Sequence, residues 1–255
     1  MSRARPTLHE WLAEAPYGLT LSAGFFGFFA HTGFAMALED AGLEPERLSG
    51  SSAGAMVAGF WASGRRMSEL ERLFTGVRRG DFWDPSPGLG LLRGALFEAL
   101  LERELGAANF ESCARPLAVS TFDVMRRETN VVTEGPLARA IRASCTFPGL
   151  FHPVAIDGRP HIDGGVLDRS GLDGMPHGRR VLYHHLSTRS RVRRHIRRLS
   201  LYAARESMLT VVVNDLPRVG PFRLEAGPAA IATARRALEA ALSRPIPASG
   251  DALIL

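Results

Sequence analysis

Gly50-Ser51-Ser52-Ala53-Gly54 spells Gly-x-Ser-x-Gly between a short apolar run and a helix of small residues. A serine in that setting sits at the apex of a strand-turn-helix elbow, its hydroxyl exposed and the first helical N–H groups beneath it. The pattern predicts Ser52 as a nucleophile, with Gly50 and Gly54 letting the chain turn without a Cβ clash. Taken alone it also fits a tight turn before a buried helix. Its surroundings favour the elbow: Ala53 to Ser63 is apolar nearly all round, which suits a buried helix, and Gly64 is placed to stop it.

The elements that must position Ser52 can be read outward from it. Tyr17 to Ser22 reads as a first strand that turns at Ala23-Gly24 into a helix running to about Ala41 and ending at Gly42. A strand that stops at glycine before a helix leaves backbone N–H groups free to hold an anion or a developing oxyanion. The stretch lacks the Gly-Lys-Ser/Thr of a phosphate loop and the full glycine pattern of a dinucleotide site. Phe25, Phe26, Phe28 and Phe29 are expected to pack in the core. A second strand near Arg47 to Ser49 leads into the elbow, so the nucleophile arrives after only two strands. Ordinary α/β-hydrolases place their elbow later and supply a histidine near the end of the chain, so a different architecture is expected.

Further on, Met67 to Gly76 predicts a helix and 81–88 a breaker loop. Leu91, Leu92, Ala95, Leu96, Ala99, Leu100 and Leu105 mark a helix with one broad apolar face, for the core or, with Phe82 and Trp83, for a lipid-facing rim. Pro116 to Val124 and Thr129 to Val132 are paired strands, Pro136 to Arg142 a helix, and Ala143 to Phe151 a loop. Val154 to Ile162 alternates about Asp157-Gly158 as a hairpin would, ending at Asp163-Gly164-Gly165. Val181 to Leu186 and Thr210 to Val213 read as strands, Pro228 to Leu242 as a closing helix, and the last ten residues as frayed. Arg189, Arg191, Arg193, Arg194, Arg197 and Arg198 form a cationic patch, expected to be solvated surface.

The 255 residues, 45% of them apolar, predict one α/β domain over residues 1–255. All 31 basic side chains are arginine, for a net charge of +5. An anionic membrane surface or anionic lipid fits that balance; nucleic acid does not, for want of a basic motif interleaved with aromatics. Cys113 and Cys145 make neither a disulfide framework nor a metal spacing, and are expected as buried free thiols. No signal peptide or long uncharged apolar run is present, which predicts a cytoplasmic protein with peripheral membrane contact at most. No cofactor and no metal are expected.

Three blocks, in order, resemble the patatin-like phospholipase family from about Leu19 to Gly171: the Ser52 elbow, Arg142-Ala143-Ser144-Cys145-Thr146-Phe147-Pro148-Gly149-Leu150-Phe151, and Asp163-Gly164-Gly165-Val166-Leu167. The resemblance implies a mostly parallel central sheet flanked by helices. It implies a serine hydrolase of phospholipid or acylglycerol esters, with Ser52 as nucleophile and Asp163 as the residue that activates it. The family's glycine-rich oxyanion loop falls on Ser22-Ala23-Gly24-Phe25-Phe26-Gly27, its first glycine replaced by Ser22; the N–H groups of Ala23, Gly24 and Phe25 are the implied donors. Two other readings stand beside this one. The altered loop fits a non-catalytic module that binds anionic lipid or a protein, and His161, His177, His184, His185 or His195 could complete a Ser-His-Asp triad.

Overall fold

The computed structural model describes residues 5–186, 205, 207–247 and 252–255; the arginine cluster of 189–198 and His195 lie outside them. The chain enters through α1 (Leu8–Glu14), where Thr7 and Glu10 close a reciprocal capping box. β1 (Gly18–Leu21) and β2 (Arg47–Ser51) lie side by side in parallel, joined by α2 (Phe28–Asp40). A parallel pair needs such a crossover. α3 (Ala53–Ala62) leaves the end of β2 with every residue buried, as its all-round apolar sequence requires, and α4 (Met67–Gly76) occupies the expected span.

The next stretch departs from expectation. Leu91 and Leu92 belong to β3 (Gly90–Leu92), and α5 (Ala95–Glu104) starts only after Gly94, whose φ is +78°. The Asp84 carboxylate accepts from the N–H groups of Gly94, Ala95 and Leu96 and so sets that start. The broad apolar face closes on the interior only in part: Leu92 and Leu105 are buried, with Leu101 beside them, whereas Leu91 and Leu96 are exposed.

β4 (Leu117–Asp123) joins the two halves of the sheet. Its first residues pair in parallel with β2, Ser120 opposite Ser51. Its opposite edge is taken by β5 (Glu128–Val132). α6 (Leu137–Ser144) packs behind β4, and β6 (Gly149–Phe151) pairs with β3. β7 (Val154–Ile156) and β8 (Arg159–Asp163) form the expected hairpin, with Asp157 (φ 49°) and Gly158 (φ 75°) both left-handed at its turn. β8 then returns antiparallel to the far end of β4, Thr121 opposite Asp163. β2 and β8 therefore share one edge of β4 and meet end to end at consecutive residues, Ser120 and Thr121.

β9 (Val181–His185) and β10 (Met208–Val212) extend the sheet beyond β1 in parallel, and α7 (Gly227–Ala241) packs along α2. The frayed terminus is a correction: Ala252–Ile254 forms β11, parallel to β10, tied by Asn214 N–H to Leu255 O at 2.7 Å and Leu255 N–H to Val212 O at 2.8 Å. Among the described residues the nine-stranded order is β11-β10-β9-β1-β2-β4-β8-β7, with β5 on β4, so the central sheet is mostly parallel. No described helix is long and apolar enough to cross a membrane.

Candidate active site

Ser52 stands alone between β2 and α3 with φ 53° and ψ −122°, a conformation that side chains rarely adopt. The positive φ falls on the serine itself, and the flanking glycines serve close approach. A Cβ on Gly50 would lie 2.5 Å from the Gly54 carbonyl carbon, and one on Gly54 would lie 2.0 Å from Leu21 O. Strand and helix thus pack backbone to backbone around the elbow. Ser52 N–H donates to Ser144 Oγ at 2.8 Å, and that hydroxyl donates to Ser120 O at 2.7 Å. Ser144 was visible in the sequence only as one letter of a block; its role as elbow anchor comes from the fold.

The shared edge of β4 brings Asp163 to Ser52, 111 positions away, and Ser52 Oγ donates to Asp163 Oδ2 at 2.7 Å. Asp163 Oδ1 accepts from Gly165 N–H at 2.8 Å. Burial pushes this carboxyl from its ordinary 3.8 up to about 6, against the opposing pull of those two hydrogen bonds and of the Arg169 charge. Gly164 has no room for a side chain, since its Cβ would meet Ser120 O at 2.1 Å. Asp168, which the sequence did not single out, fixes the following turn by accepting from Ser120 Oγ, Ser170 Oγ and the N–H groups of Gly171, Leu172 and Asp173.

The turn after β1 needs one correction. Ala23 N–H is committed to Arg169 O at 2.8 Å, so Ala23 cannot serve as an oxyanion donor. The N–H groups of Gly24 and Phe25 have no partner among the described residues, and both residues line the same cavity as Ser52. Gly27 closes the turn with its N–H to Gly24 O, and both glycines lie under Leu186, where a Cβ would come within 2.2 Å at Gly27 and 2.6 Å at Gly24. Ser22 fits because its buried hydroxyl accepts from Leu186 N–H at 2.9 Å.

Beneath the turn, His31 Nε2 bonds Ser22 O at 2.8 Å and His31 Nδ1 meets His184 Nδ1 at 2.9 Å. A carbonyl only accepts, so the His31 proton is on Nε2, and His184 must donate from Nδ1. Burial holds His31 down at about 4 and His184 well below the usual histidine range, which keeps both rings neutral. Neither completes a triad. His161 bonds Thr121 Oγ1 and His185 bonds Tyr183 OH, and no described histidine lines the cavity.

That cavity, about 760 Å³, is walled by Ser52, Asp163 and a mainly aromatic and aliphatic surface. Phe25, Phe26 and Phe28 belong to its wall, and of the four phenylalanines expected in the core only Phe29 is fully buried. Neither cysteine is fully buried, but Cys145 also lines the cavity, and its thiol donates to Ser52 O at 3.2 Å. Burial and the neighbouring Asp163 push that thiol well above its ordinary range, so it stays protonated.

The sequence model of the patatin-like phospholipases matches residues 19–175, more than half of the chain and the whole of the elbow and Asp-Gly-Gly segments. The chain belongs to the patatin-like phospholipase family. An uncharacterised NTE family protein of Mycobacterium tuberculosis is 32% identical over 153 residues, which are 59% of this chain and 42% of that one. The lysophospholipase nte1 of Emericella nidulans is 27% identical over 159 residues, 59% of this chain and 10% of its own length. The chain thus spans less than half the length of these relatives. In fold it resembles VipD from Legionella pneumophila, with a TM-score of 0.64 at 14% identity over 90% of this chain and 67% of that one. This patatin-like architecture is the α/β class expected from the sequence.

Proposed function

We propose that this chain, acting as one patatin-like unit, hydrolyses carboxylic esters of lipids through an acyl-enzyme on Ser52, with Asp163 as base. The observation that carries the reading is the 2.7 Å hydrogen bond from Ser52 Oγ to a buried carboxylate in the wall of an apolar cavity. A carboxylate whose proton affinity is raised toward neutrality is a better base than one in water. Ser52 Oγ attacks the ester carbonyl carbon as its proton passes to Asp163 Oδ2. The oxyanion that forms is held by the N–H groups of Gly24 and Phe25 and by the N-terminal end of α3. Collapse breaks the bond to the alcohol, which leaves with the proton from Asp163, and the acyl group remains on Ser52. Water then adds to the acyl carbon while Asp163 takes its proton, and the carboxylic acid departs as Ser52 regains a hydrogen.

The apolar wall supports an acyl chain as the group that enters. The family and the lysophospholipase among the relatives support a lipid as its source. The spent N–H of Ala23 leaves two loop donors in place, which favours a working hydrolase over a binding module despite Ser22.

The base must be ionised to accept a proton, and its carboxyl titrates at about 6. On a soluble ester kcat/KM is therefore expected to be flat at alkaline pH and to fall roughly tenfold per unit below that value. A profile that stays flat down to the ordinary carboxylate range removes Asp163 as the base. A fluorophosphonate probe is expected to label the wild type at Ser52 and leave Ser52→Ala unlabelled, with turnover down by ~10⁴ or more. Turnover of p-nitrophenyl esters should rise with acyl length. Labelling that survives in Ser52→Ala sinks the nucleophile, and indifference to chain length sinks the acyl pocket.

A further inference from the structure

We propose that the opening of this cavity is a docking face for an anionic lipid bilayer, built from exposed apolar side chains with arginine seated among them. The contact is argued from the surface alone; only the route by which an acyl chain then enters rests on the hydrolase reading. Large apolar side chains exposed singly are ordinary, whereas a gathered set marks a binding surface.

Here three separate segments deliver theirs to the wall of one cavity. Phe25 (57% exposed) and Phe147 (49%) line the opening with their rings 5.7 Å apart, and Val166 (45%) lines it beside them. Phe222 (70%) packs edge-on against Trp83, a wall residue, at 6.0 Å. Leu89 (82%) and Leu91 (53%) are exposed in the segment that carries Leu92, which lines the cavity wall. Core packing explains none of these exposures.

Charge selects the occupant. The Arg79 guanidinium lies 5.6 Å from the Trp83 ring centroid and 5.4 Å from that of Phe222, and Arg169 and Arg218 line the cavity. Of the nearby carboxylates, Asp84 holds the N–H groups at the start of α5 and Asp81 holds Arg78 N–H, while Asp163 and Asp215 line the cavity itself. Aromatic rings beside guanidinium groups suit the headgroup level of a bilayer, where rings sit in the interface and arginine meets phosphate. The net charge of +5 acts in the same direction. Seated so, the cavity opens onto the bilayer, and an acyl chain passes from lipid to protein without crossing water.

The test is sedimentation of Ser52→Ala protein with vesicles of phosphatidylcholine containing phosphatidylglycerol, and with phosphatidylcholine alone. Binding is expected to the anionic vesicles and to be weaker on the neutral ones. A combined Leu89→Ser, Leu91→Ser, Phe222→Ser variant, and separately Arg79→Glu, should each weaken it about tenfold or more. Those rim substitutions should keep the wild-type melting temperature and, in a chain with Ser52 intact, the turnover of a short soluble ester. The proposal is overturned if the protein ignores vesicles. It is also overturned if the rim variants bind them like the parent, or if they dissolve a dimer instead, which would make a second copy the occupant. Failure of the hydrolase reading looks different: rim-dependent vesicle binding by a protein inert to esters and to the probe keeps the docking face and loses the chemistry.

Discussion

Asp163→Asn is expected to remove ester turnover and raise the melting temperature in one and the same variant. Asparagine keeps an oxygen for Gly165 N–H but cannot take the Ser52 proton, so kcat should fall by ~10²–10⁴, the usual worth of a general base. The stability change has the opposite sign. The carboxyl titrates at about 6 in the folded chain against an ordinary 3.8, so the folded state binds its proton more tightly than the unfolded state does. Stability is therefore lost as pH rises from the unfolded value through about 6, and at pH 8 the whole cost of an ionised, buried Asp163 is present. At about 1.4 kcal/mol per unit that cost is of the order of 3 kcal/mol, of which a neutral amide recovers part. Thermal melts at pH 8 and pH 5 provide the check: the stabilisation should be clear at the first and shrink at the second. A variant that keeps activity, or that melts below the wild type at pH 8, contradicts the burial argument.

Gly54→Ala is expected to damage both properties together. Its Cβ would meet Leu21 O at 2.0 Å and the Leu21 carbonyl carbon at 2.4 Å, atoms of the backbone that cannot rotate aside. Either α3 or β1 must shift, at a cost of roughly 1–3 kcal/mol for an overpacked core. The shift also carries Ser52 away from Asp163, and a displacement of about 1 Å costs on the order of 100-fold in rate. Gly76→Ala is the control, since its Cβ would meet nothing within 4 Å. Denaturant melts and kcat/KM on a soluble ester are the readouts. Wild-type values for Gly54→Ala would mean that the elbow does not depend on the close approach of Gly54 to Leu21.

Much of the fold was legible because it is written locally. The small-residue, all-apolar stretch from Ala53, the amphipathic run from Met67 to Gly76 and the Asp157-Gly158 turn each specify their own backbone within a few residues, and each lies where it was expected. Three short strands were hidden for the complementary reason. β3, β6 and β11 hold three residues each and are strands only because β3 and β6 pair with each other and β11 pairs with β10. Leu91 to Leu105 carries a helical spacing from end to end, yet a left-handed Gly94 and a carboxylate from Asp84 start the helix late.

The same division runs through the site. Gly-x-Ser-x-Gly identifies Ser52 because an elbow is a local object, set by five consecutive residues and the helix behind them. Asp163 entered through resemblance, and its approach to Ser52 was decided by β4, whose single edge receives the end of β2 and then the end of β8. Which backbone N–H groups stay free among the described residues, Gly24 and Phe25 but not Ala23, depends on where Arg169 places its carbonyl. The raised proton affinity of Asp163 and the neutral His31–His184 pair depend on burial by distant segments. Residue types and local spacing determine which groups are present to react. Hydrogen-bond availability and proton affinity are properties of surroundings, and those exist only once remote parts of the chain have packed.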